Sequence, residues 1–326
     1  MPLAELVCKP IINWVGGKEK LMKTICLVFP TNINRYAEHF GGSAAILLGR
    51  PKKRGVLEVL NDYDNNLTNL YVCVKKRIAA LIDELGYMPL QSEAEFQVYK
   101  RCLERGEPIP DFTQDELIRV ERYFTGERAE ELCGILNGRA DLYDVRRAAA
   151  FYMVNHTSFS GTMKSFGVKL PALSRTVGDL KRASQRLERV VILNRDFGES
   201  IKVNDKPGTL HYCDPPYYGT EDKYRVLFPP SNHVRLHEIA QRCRGRIVIS
   251  YVDCDYIRDL YQDFFILAFD RPDTMSHEEG AMFGELLITN YDPRPVIEAN
   301  AQMSMFGDLP EGLELVNIPK ELEEST

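Results

Sequence analysis

Asp214, Pro215, Pro216 and Tyr217 follow directly on the apolar run Thr209–Cys213. That order puts an ionisable acid, a proline pair and an aromatic ring at the mouth of one strand. The group suits activation of an amine whose lone pair is delocalised into a ring. The Asp214 carboxylate and the Pro215 carbonyl would each accept one N–H, drawing the nitrogen toward a tetrahedral shape and freeing its lone pair. The prolines fix the direction of the acceptor and bring no competing donor. Tyr217 offers a face for a base swung out of a helix, where stacking is worth about 1–3 kcal/mol against the few kcal/mol that flipping costs. The competing reading is an edge strand closed by a proline turn.

A second acid, Asp62, ends the run "GVLEVLND". In a strand–turn–helix unit an acid there accepts hydrogen bonds from ribose hydroxyls, although the same residue before a helix serves equally well as a cap. "WVGGKEK" is no phosphate loop, because Ile12 and Glu19 stand where a glycine and a Ser or Thr are required. "FGGSAA" is only a fragment of G-x-G-x-x-G. A nucleoside ligand without phosphates fits these features, and S-adenosylmethionine is one. The eight cysteines form no C-x-x-C pair, and no cysteine follows Cys254 to complete a deaminase-type site with His277, Glu278 and Glu279. No metal and no disulfide scaffold are expected.

The elements that must carry these residues alternate. "RYAEHF", "GVLEVLND", "VVILNRDF", "TLHYCDPPY", "RIVISYVD", "FFILAFD" and "ELLITNY" are short apolar runs suited to buried strands, and helical periodicity lies between several of them. A single long helix is expected over "NNLTNLYVCVKKRIAALIDEL". This pattern predicts an α/β fold with a doubly wound, Rossmann-like sheet. From about 87 to 150 the strand pattern lapses into charged helical segments, read as an insertion. The expected division is a catalytic domain from 1–80 and 165–297, a helical insertion at 81–164, and an acidic, loosely ordered tail at 298–326.

Charge follows the same division. The tail holds seven acids and one base, which accounts for the whole formal charge of −6. The rest balances, with basic clusters that permit phosphate contact without requiring it. Apolar runs fall well short of the roughly 20 residues of a membrane helix, so the cytoplasm is the expected location and no membrane partner is expected. Nothing fixes an oligomeric state.

Eight motifs in order give the chain a family resemblance: "NWVGGK", "YAEHFGGSAA", "LNDYDNNLTNLY", "FYMVNHTSFSG", "RDF", "YCDPPYYGTEDKY", "VISY" and "ELLITNY". Together these resemble the DNA adenine-N6 methyltransferases of the Dam type. The resemblance implies a methyltransferase sheet, S-adenosylmethionine as methyl donor, double-stranded DNA as partner, and a helical insertion that reads the target. It implies that Trp14 and Lys18 contact the donor, that Gly41 and Gly42 form the turn beneath it, and that Glu38, Asp62 and the pair Asp196 and Phe197 hold its amino-acid, ribose and adenine parts. Asp214 to Tyr217 become the catalytic face, with Asp214 also touching the donor. Thr220 and Tyr224 match the extended motif, and Tyr224 is expected near DNA. Three positions depart from the family: His39 replaces a proline, Ser160 replaces an asparagine, and Thr162, Met163 and Lys164 stand where an arginine is usual. Lys164, Arg119 and Arg122 are therefore the candidate DNA contacts, although arginines on a helix are as often simply solvated. Cytosine N4, RNA, or an inactive DNA-binding module are the alternatives.

In the tail, "QMSMF" looks like the short peptide with which bacterial proteins dock on the replication sliding clamp. Gln302, Met303, Met305 and Phe306 would be its anchors, and a terminal strand packing on its own domain is the other reading.

Overall fold

A computed structural model describes residues 8–14, 16–87, 92–109, 113–137, 144–159, 163–167, 173–219, 228–272, 282–303 and 313–319. By its contacts the chain divides into two compact units. One contains Trp14–Asn65 and the chain from Arg186 onward, and the other contains Ile11–Asn13 and Asn66–Gln185. Residues 66–80 and 165–185, which the sequence pattern groups with the sheet, fall in the second unit.

The first unit is built on eight strands: β1 (Arg35–Glu38), β2 (Leu57–Asn61), β3 (Val190–Leu193), β4 (Thr209–Cys213), β5 (Arg246–Val252), β6 (Phe265–Pro272), β7 (Met282–Thr289) and β8 (Glu314–Asn317). They lie in the order β3-β2-β1-β4-β5-β7-β6-β8. β3, β2, β1, β4 and β5 are parallel. β7 runs antiparallel between β5 and β6. The chain leaves β1 in one direction and returns on its other side with β4, so the order reverses between these two strands. In doubly wound sheets the crevice outside the strand ends at such a switch point is where ligands bind.

β5 shows why the central strands read as unbroken apolar runs. Ile247, Ile249 and Tyr251 face one core with Cys213, Leu286 and Ile288. Ser250, on the alternate face, meets the Tyr212 hydroxyl at 2.8 Å. Both faces are covered, as a parallel sheet requires. β4 lies between β1 and β5, so the edge-strand reading of its proline-rich end is incorrect. The strand stops at Cys213, and Asp214 to Tyr217 begin just beyond it.

Two sequence expectations are corrected. The expected long helix is two, Asn65–Lys76 and Ile78–Tyr87, interrupted at Arg77. The tail is not loose throughout. A helix spans Arg294–Met303, where Asn300 donates to the carbonyls of Leu27 and Phe29, and β8 adds to β6. Edge pairing needs only backbone groups, which a four-residue stretch of an acidic tail supplies as well as any other. Gln302 and Met303 end that helix, while Met305 and Phe306 lie outside the described residues.

The second unit is helical. Ser92 accepts from the Glu95 amide and donates to its carboxylate, a reciprocal cap at the start of helix Glu93–Arg105. Asp144 caps Val145–Thr157 through the Arg147 amide. On that helix the buried Asn155 side chain accepts from the Asn13 amide at 2.9 Å and donates to the Asn13 carbonyl at 2.7 Å. The His156 ring bonds the Ile11 carbonyl at 2.8 Å. Three hydrogen bonds from residues more than 140 positions away thus hold the chain segment that immediately precedes Trp14.

Candidate active site

The mouth between β1 and β4 gathers most of the residues singled out in the sequence. Glu38 ends β1 and is 3% exposed. Its Oε2 accepts from the Tyr36 hydroxyl at 2.8 Å and from the Leu47 amide at 3.0 Å. Burial outweighs these bonds and pushes its carboxyl up to about 8. Past β1, the Gly41 amide donates to the Asn61 carbonyl at 2.8 Å, and Gly42 turns with φ +46°.

Asp62, just beyond β2, accepts from the Gly42 amide at 2.9 Å and from the Asp64 amide at 2.8 Å. Burial holds its carboxyl up near 6 despite those bonds. One carboxylate thus ties the glycine turn to the start of the next helix, as the capping reading of Asp62 expects. Trp14 closes the turn from outside. A Cβ on Gly42 would lie 2.8 Å from the Trp14 indole nitrogen. Gly42→Ala therefore meets both a left-handed backbone and a ring. We expect it to lose about 1–2 kcal/mol of stability from the backbone alone, and a urea midpoint equal to wild type would contradict this geometry.

Lys18 is the hub of the side-chain cluster just beyond β4. It is 4% exposed, its Nζ lies 2.8 Å from Asp214 Oδ1, and it donates to the Gly16 carbonyl at 2.9 Å. The same ammonium stands 4.6 Å from the centroid of the Tyr217 ring, a cation–π arrangement. Tyr217 is itself buried, and its hydroxyl donates to Glu285 Oε2 on β7. Burial first, then the Asp214 and Glu285 charges, hold that hydroxyl well above the ordinary tyrosine range, so it stays protonated. Tyr218 turns away, stacking on Tyr256 at 4.1 Å.

Asp196 and Phe197 begin the helix that follows β3. Asp196 caps it through the Gly198 and Glu199 amides and forms a two-pronged pair with Arg235. The Arg235 guanidinium also lies 4.5 Å from the Phe197 ring centroid, and Phe40 stacks on that ring at 5.3 Å. Arg119 and Arg122 lie on helix Thr113–Tyr123, and Lys164 in the loop after Phe159. All three belong to the second unit. Thr220 and Tyr224 are outside the described residues.

Sequence reasoning did not single out Tyr36, Arg235 and Glu285, which hold Glu38, Asp196 and Tyr217. Only Glu285 left a signal, an acid at the head of the otherwise apolar run "LLIT".

A five-strand parallel sheet with an antiparallel β7, and an acid, lysine and tyrosine set at its switch point, define an α/β enzyme of the methyltransferase type. Residues 14–275 match the family model of the D12 class N6 adenine-specific DNA methyltransferases. The chain belongs to that family and is an adenine-specific DNA methyltransferase. It is similar to the Type II methyltransferase M1.LlaDCHI of Lactococcus lactis subsp. cremoris, with 22% identity covering 87% of this chain and 95% of that protein. It is also similar to the DNA adenine methylase of Haemophilus influenzae, with 24% identity covering 78% and 82%. The Type II methyltransferase M.CviBI of Paramecium bursaria Chlorella virus NC1A shares 21% identity over 87% of this chain and all of that protein. Cytosine N4, RNA and an inactive module are therefore set aside. No helix among the described residues is long and apolar enough to cross a membrane.

Proposed function

We propose that the protein transfers a methyl group from S-adenosylmethionine to N6 of an adenine flipped out of duplex DNA, with the second, helical unit reading the target. The placement of Asp214 beside Lys18 and Tyr217 at the switch point carries this reading. The donor would lie over the Gly41–Gly42 turn, with its ribose on Asp62, its ammonium on Glu38 and its carboxylate near Lys18. Asp196 and Phe197 would take the adenine of the donor, whose exocyclic amine then competes with Arg235 for the Asp196 carboxylate. When bound, the donor supplies an electrophilic methyl.

The chain supplies acceptors and position. Asp214 and the Pro215 carbonyl take the two N–H groups of the target amine, and the Pro216 ring limits how that acceptor can turn. The proton leaves after transfer, so no strong general base is required. The Lys18 ammonium stands 4.6 Å from the Tyr217 ring centroid, so a base stacked on that face of the ring would displace it, and Lys18 would then turn from Asp214 toward the donor carboxylate. Lys164, Arg119 and Arg122 are the proposed phosphate or base contacts.

The donor sites set a pH dependence. Glu38 accepts an ammonium only when ionised, and its carboxyl is held up to about 8. Donor affinity should therefore rise as pH increases toward that value and fall again above it, where the donor's own α-amino group, with an ordinary pKa of about 8, loses its proton, whereas Glu38→Gln should bind weakly and lack the rise. Calorimetric titration with S-adenosylmethionine between pH 6.5 and 9 checks the sign. The same titration tests the donor itself: saturable binding is expected in wild type, at least about tenfold weaker in Asp62→Ala, where a charge-assisted hydrogen bond is lost. An absence of saturable binding in wild type would sink the donor assignment.

A further inference from the structure

Away from the catalytic face, three potential metal ligands converge in the first unit. Asp205 follows helix Phe197–Asn204, His211 is at the centre of β4, and Cys243 precedes β5. One ligand atom from each lies within 4.8 Å of the other two. Cys243 Sγ is 3.2 Å from Asp205 Oδ1, and His211 Nε2 is 3.4 Å from the same oxygen. Ligands about 2.0–2.3 Å from a tetrahedral zinc are themselves separated by roughly 3.3–3.8 Å. The triad therefore needs only small movements to close on an ion.

Two further observations point toward a ligand. The His211 ring is fully buried, yet its Nε2 has no hydrogen bond of acceptable geometry. Its other nitrogen is fixed from behind: Nδ1 lies 2.9 Å from His39 Nε2, and His39 Nδ1 lies 2.9 Å from the Ser200 hydroxyl. When His211 Nδ1 donates to His39, its Nε2 lone pair is turned toward Asp205 and Cys243. This is the outer-shell arrangement that sets the tautomer of a metal-bound histidine. Asp205 is anchored in the same way, accepting from the Arg244 and Gly245 amides at 3.0 and 2.8 Å.

We propose that Asp205, His211 and Cys243 form a zinc site, with water in the fourth position on the side where Asp205 and Cys243 are only half-buried. The donor set is one thiolate, one neutral imidazole and one carboxylate. It balances a divalent charge, and its sulfur and nitrogen favour zinc over magnesium or calcium. Binding releases the Cys243 thiol proton to solvent, and no electron is transferred. The ion ties together a helix end, β4 and the entry to β5. This site is independent of the methyl-transfer reading.

The test uses the full chain, incubated separately with Zn2+ and Co2+ and dialysed into metal-free buffer. Stoichiometric metal is expected, together with a thiolate-to-cobalt charge-transfer band, tetrahedral d–d bands and a higher thermal midpoint with zinc. Cys243→Ser should lose the band and the thermal shift while keeping the wild-type circular dichroism spectrum. His211→Asn should also lose the metal, and Cys133→Ser should keep it. Wild type without retained metal, or Cys243→Ser with unchanged stoichiometry and spectrum, overturns the proposal.

Discussion

Replacing Asp214 with alanine should reduce methyl transfer by on the order of 10²–10³-fold or more, since removing one preorganised partner of a developing charge costs that much in other enzymes. The carboxylate sits two residues past the last strand register of β4, where that strand meets β1, with Lys18 at 2.8 Å. Asp214→Asn keeps one acceptor oxygen without the charge and should fall between alanine and wild type. Alanine also leaves the buried Lys18 ammonium without its counter-charge, so stability must be measured beside the rate. A folded Asp214→Ala protein with wild-type single-turnover rate would contradict the assigned role.

The largest stability effect is expected at Arg186. Its guanidinium makes two hydrogen bonds to Glu58, at 2.6 and 2.8 Å, and donates to the Leu47 carbonyl at 2.5 Å. Both side chains of the pair are 3% exposed. Arg186→Ala strands a buried carboxylate and should cost about 3–5 kcal/mol, whereas replacing Arg186 with Met and Glu58 with Leu together should recover much of it. Urea denaturation of the two variants checks both statements, and a loss below about 1 kcal/mol in Arg186→Ala would refute the first. Leu47 links this pair to the site, because its amide donates to Glu38 while its carbonyl receives Arg186. Donor binding in Arg186→Ala should therefore weaken along with stability.

The contrast between what the sequence discloses and what it hides follows from where the partners lie. β1, β2, β4 and β5 are legible because a strand buried on both faces must be apolar at nearly every position, and Asp214 stands out because an acid ends such a run. The Gly41–Gly42 turn and Asp62 are legible for the same local reason. The role of Glu285 is not, although its acid heads an apolar run, because its partner Tyr217 is 68 residues away and only the antiparallel insertion of β7 brings it near. Arg235 lies 39 residues from Asp196 on a helix with no unusual pattern. β8 escaped notice because an edge strand needs backbone groups rather than an apolar sequence. The break at Arg77 is hidden because the apolar spacing continues across it.

The central claim is methyl transfer to adenine N6, and it is tested most directly by incubating the protein with labelled S-adenosylmethionine and duplex DNA and then separating the nucleosides. Label is expected in N6-methyladenine, dependent on Asp214, and none in N4-methylcytosine. Under conditions where calorimetry shows the donor bound, label absent from N6-methyladenine or present in another nucleoside would contradict it.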